Sequence, residues 1–163
     1  MGITKLFSGE KVLTEREKLD GWRQELWEAL PEIFRDEEDR YGMNEDGDLA
    51  IRKGGVTLFV NFGVDSDDIG WVIIHAALVH LPEDGVLAFY RKVLDINNDQ
   101  SVVGRLSTHE DAVYLSRTVL SDGRDVRVLV STVATMAQEA DGIAEYLVEE
   151  FGARPVEVDV IAA

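Results

Sequence analysis

The chain has no cysteine, only three histidines and three prolines, and 16 basic residues against 32 acidic ones in 163. Without cysteine there can be no disulfide, thiolate nucleophile or cysteine-ligated zinc or iron–sulfur centre, and the absence fits a cytoplasmic location. The shortage of positive charge leaves a formal net charge of −16. Such a chain repels phosphate backbones and anionic lipid surfaces, so neither nucleic acid nor membrane is an expected partner. A protein or peptide segment of basic or amphipathic character is. No apolar run approaches the roughly 18 residues of a membrane span. The most apolar stretch, "WVIIHAALVHL", is interrupted by two histidines, and the opening "MGITKLFSGEKV" lacks the apolar run of a signal peptide.

What is present suits a single unit spanning 1–163, with a core over about residues 15–152, an N-terminal arm (1–14) and a C-terminal tail (153–163). "TEREKLDGWRQELWEALPEIFRDEEDRYG" reads as a helical region, because Leu19, Trp22, Leu26, Leu30 and Phe34 recur at helical spacing. Thr14 with Glu17 resembles a capping box, and Pro31 is expected to kink or restart the helix. Strands are expected at "DLAIR", "VTLFVNF" and "GWVIIHAALVHL", a second helix at "LPEDGVLAFYRKVLDIN", and strands at "SVVGRLS" and "AVYLSRTVL" around the turn "THED". A third helix runs to Phe151, with Gly152 as its C-cap. The tail "PVEVDVIAA" alternates as a sheet-edge strand would. The resulting class is α+β, ordered α-β-β-β-α-β-β-α, with a mainly antiparallel sheet packed by helices.

Chemistry finds little support. Asp95, Asn97 and Asp99 imitate the start of a calcium loop, but the sixth position is Gln100 where glycine is needed and the twelfth is Leu106 where a bidentate glutamate is needed. His75 and His80 lie an odd number of residues apart on one strand, which assigns them to opposite faces. His109 sits among acidic neighbours in a turn. No nucleophile elbow or phosphate-cradling glycine loop occurs. We therefore expect no catalytic residues, no metal, no cofactor and no enzyme.

The candidate partner-binding or interface residues are Trp22, Trp27, Phe34, Phe59, Trp71, Arg105, Tyr114 and Arg117. The aromatics are large contact residues that serve cores and interfaces alike. Arg117 shares strand parity with apolar Val113, Leu115 and Val119, and Arg105 is placed across from Tyr114 as a cation–π pair.

The element order resembles the type III secretion chaperone fold shared with the YbjN family. Val93, Leu94 and Asn97 in "VLDIN" match its second-helix ending, followed by the strand pair and the long closing helix from about Val126. The resemblance spans roughly residues 15–152. It implies a non-enzymatic peptide- or protein-binding module, chaperone-like or regulatory, commonly a homodimer. A small-molecule sensor on the same scaffold is the alternative.

Overall fold

The computed structural model describes residues 12–158; the arm at 1–11 and the end of the tail at 159–163 lie outside them. The elements are α1 (Glu15–Ile33), β1 (Arg40–Met43), β2 (Leu49–Lys53), β3 (Val56–Val64), β4 (Gly70–His80), α2 (Val86–Asn98), β5 (Arg105–His109), β6 (Ala112–Leu120), α3 (Val126–Phe151) and β7 (Arg154–Pro155). The sheet runs β1-β2-β3-β4-β6-β5, with β7 pairing β4 off this path. Every pairing is antiparallel. The α+β class with a mainly antiparallel sheet is as expected, but four strands precede α2 rather than three.

The extra strand is β1. The helical region expected to reach Gly42 stops at Ile33, with Phe34 as C-cap. Pro31 does not restart it: it lies in the last turn, and the helix ends just beyond it. The acidic segment after it becomes a turn, held where Lys53 Nζ meets Asp36 at 3.0 Å and the buried Asp39 at 3.6 Å. The capping box at the other end of α1 is formed. Glu17 N donates to Thr14 Oγ1 at 3.2 Å, and Thr14 N donates to Glu17 Oε2 at 3.0 Å.

All three helices lie on one side of the sheet. α1 and α3 pack on β2, β3 and β4, and α2 packs on β5, its Phe89 ring edge-on to Phe151 of α3 at 5.6 Å. Beneath them lie Leu58 and Val60 of β3, Val72, Ile74 and Ala76 of β4, and Leu115 of β6, all buried with Leu26, Leu30, Leu129 and Met136 of the helices. α3 begins with Asp125 accepting from Arg127 N at 2.9 Å and ends at Gly152, whose φ of 65° is readily adopted by glycine.

Two features correct the parity arguments. A register shift between Ala77 and Val79 inserts one extra residue into β4 opposite β6. Leu78 and Val79 are both buried, and His80 turns to the same side as His75 instead of the opposite one. The connection into β5 is the second. Ser101–Gly104 are not strand; β5 starts at Arg105, and the turn to β6 is Glu110–Asp111, with Glu110 at φ 53°.

No asparagine adopts a left-handed conformation to stop α2. The helix runs through Asn98, and Asn97 works through its side chain. Its Nδ2 donates to Leu106 O at 2.8 Å, and its Oδ1 accepts from Leu106 N at 2.7 Å. Glu139 of α3 completes the clamp, accepting from Val103 N at 2.7 Å and Gly104 N at 3.1 Å. Asn97→Ala would strip the partly buried Leu106 peptide groups of both partners. We expect a loss of about 2 kcal/mol, read as a lower midpoint in urea denaturation with unchanged slope.

Candidate partner-binding surface

With every helix on one side, no element among the described residues covers the other side of the sheet. Register places the same-facing residues in rows across it. Gly63, Trp71 and Leu120 form one row; Asn61, Ile73 and Thr118 form the next; Ala50, Phe59, His75, Ser116 and Arg105 form a third. Ala77 and Tyr114 follow, with Ser107 beside them. Trp71, Ile73, His75 and Phe59 are half-buried there.

Contacts among neighbours fix the central side chains. Phe59 stacks on the His75 ring at 5.5 Å, with an interplanar angle of 27°. His75 Nε2 lies 2.8 Å from Asn61 Oδ1; an amide oxygen only accepts, so this nitrogen carries the proton of the neutral ring. Gly63 allows the Trp71 indole to lie flat across β3, since a Cβ there would run into the ring. Burial holds the His75 imidazole below its ordinary range, while nearby Asp48 acts against that shift. Asp48 is itself engaged, accepting from Phe62 N at 3.3 Å.

The structure thus brings Phe59, Trp71, Tyr114 and Arg105 to one face. Trp22 and Phe34 lie in the core. Trp27 is half-buried on the helix side, its ring edge-on to Tyr41 at 5.6 Å. Arg105 faces Ser116 rather than Tyr114, and its guanidinium donates to Val102 O and Gly104 O, each at 2.8 Å. The expected cation–π pair is replaced by these local bonds, because β5 runs on through His109 and the shorter turn Glu110–Asp111 moves the register by two residues. Arg117 pairs with buried Ile74 on the helix side but is exposed, donating to Val103 O at 3.2 Å.

Sequence reasoning passed over Ile73 and Asn61 as surface residues. Strand parity alone marks them, since they alternate with the buried Val72, Ile74 and Val60. The apolar residues of α2 divide between two faces. In the structure Phe89 and Val93 are buried, whereas Leu87 and Leu94 are 67% and 62% exposed on the outer flank.

Among the described residues no His, Asp and Glu side chains gather to hold a metal ion, and no helix is long and apolar enough to cross a membrane. A family model described as "TY-Chap1: T3SS (YopN, CesT) and YbjN peptide-binding chaperone 1" matches residues 22–159. No curated protein matches the chain. Among solved structures it is similar to the Yersinia pestis type III secretion chaperone SycH, crystallised in complex with a stable fragment of YscM2. That likeness has 16% identity over 72% of this chain and 96% of the other, with a TM-score of 0.45.

The lowered proton affinity of His75 has a pH consequence. The folded chain holds this proton less readily than the unfolded one. Its contribution to stability is therefore complete above about pH 6.5 and is lost as pH falls through the lowered value. Urea midpoints at about pH 7.5 and pH 5 should differ more for the parent chain than for His75→Gln; equal losses would remove His75 from the acid response.

Proposed function

The chain belongs to the T3SS and YbjN family of peptide-binding chaperones, and we propose that it is a non-enzymatic, chaperone-like or regulatory protein that receives an extended or amphipathic protein segment in the cytoplasm. The observation that carries this reading is the uncovered sheet face. It offers an apolar strip, Trp71, Ile73 and Phe59, bordered by the polar Asn61, His75, Ser116 and Thr118. Apolar anchors of a partner lose water against the strip, while its polar groups meet hydrogen-bonding side chains around it. The rigidity of a paired sheet keeps the strip in place before the partner arrives, which lowers the ordering cost of binding.

The same reading includes a homodimer through the outer flank of α2. Leu87 and Leu94 are seven residues apart, two helical turns, and so lie on one side of the helix. Their exposure supports burial against a second copy, with the partly buried Tyr90 between them.

Two measurements test the proposal. Trp71→Ala and Ile73→Ser should each weaken binding of a segment selected on a peptide array, by about tenfold if these are anchor residues. Full affinity in both variants would move the site elsewhere. The chain should also show a dimer mass by light scattering, and Leu87→Glu with Leu94→Glu should halve it. A monomeric parent chain at micromolar concentration would overturn the homodimer.

A further inference from the structure

Sheet pairing changes hands at Leu78. β3 pairs with β4 only from Phe59↔His75 onward, and β7 pairs with it at Val79↔Pro155 and His80↔Arg154. Between the diverging β3 and the incoming β7, the helix side of the sheet opens into a groove of about 340 Å³. Its floor is apolar: Val56, Leu78, Ala144, Val148 and Pro155. One wall is α3, which contributes Asp141, Glu145 and Glu149.

These acids stand four residues apart, so they line a single side of the helix. Like charges at that spacing repel one another and weaken a helix. Asp141 is occupied in part, accepting from Gly55 N at 3.2 Å, which pins the β2–β3 turn to α3. Glu145 and Glu149 are exposed, and neither has a cationic partner among the described residues. A row of uncompensated carboxylates therefore runs beside an apolar floor.

A free small cation would leave that floor wet, and a purely apolar segment would leave the carboxylates unneutralised. Lysine and arginine satisfy both, covering apolar surface with their methylene stems while the charged head reaches a carboxylate. We propose that this groove between α3, the β2–β3 turn and β7 docks a basic amphipathic peptide segment, with an aliphatic side chain on the floor and cationic groups on Glu145 and Glu149. The inference rests on the peptide-binding reading and adds a contact on the helix side, away from the uncovered sheet face.

The test uses the full chain, labelled with ¹⁵N, and two synthetic peptides of equal length, one of leucines and lysines and one with glutamate in place of lysine. The lysine peptide is expected to shift the amides of Gly55, Val56 and residues 141–149, and to bind more weakly as salt rises. The double variant Glu145→Gln with Glu149→Gln should weaken it roughly five- to tenfold, with Glu150→Gln as an unchanged control. All three positions are exposed, so folding is preserved. If the lysine peptide shifts only the open-face amides, or binds the double variant as tightly as the parent, the groove assignment falls and the peptide-binding reading stands. If the glutamate peptide binds the groove better, the assigned charge is wrong. If neither peptide binds, the groove assignment falls; if array-selected segments also leave both surfaces unshifted, the peptide-binding reading falls with it.

Discussion

Val72, Ile74 and Ala76 of β4 are buried beneath α1 and α3, and the arrangement of the molecule's two faces depends on that contact. Each large aliphatic side chain taken from water there contributes roughly 1.5–3 kcal/mol before the entropy of ordering it is subtracted. Because β4 is central, the helices that cover it also shield parts of β2 and β3. The helix layer is thereby committed to one side. The opposite side carries small, polar and aromatic residues together with Ile73 and Leu120, and no second layer covers it among the described residues.

The distribution of charge follows the same division. Carboxylates collect on the helices and in the turns, where water solvates them, as in Asp65–Asp68 and the row from Asp141 to Glu149. Strand positions on the uncovered face instead carry Arg52, Arg105, His75 and His109, with Asp48 at the foot of β2. A net charge of −16 therefore describes the molecule poorly at any one surface, and two surfaces of one acidic protein can prefer different partners.

Much of this architecture is legible in the sequence where one local rule acts alone. Thr14 and Glu17 announce the start of α1, the alternation from Val56 to Val60 announces β3, and Gly152 announces the end of α3. The missed features arise where tertiary contacts decide. β1 is hidden because its four residues follow a charged stretch that reads equally well as a helix end, and only pairing with β2 makes them a strand. The bulge at Leu78 has no glycine or proline to mark it, so parity carried His80 to the wrong side. Asn97 looks like a helix stop or a metal ligand until Leu106 is brought beside it. Of the candidate site, aromatic identity found Phe59, Trp71 and Tyr114, but it cannot separate them from the core residues Trp22 and Phe34, since both groups recur at apolar positions.

The lengths of the strands bear on a different property. The outermost strands, β1 and β5, have four and five residues, whereas β4, in the interior, has eleven. An unpaired edge is a template on which another chain can polymerise, and short edges offer few successive hydrogen bonds to an intruder. β6 outruns β5 from Arg117 onward, leaving a further length of open edge. That stretch starts with a charged side chain and ends where Ser121 is held by Glu15 of α1 at 2.5 Å. The sheet can thus present a broad bare face to a chosen partner while resisting growth into fibrils along its sides.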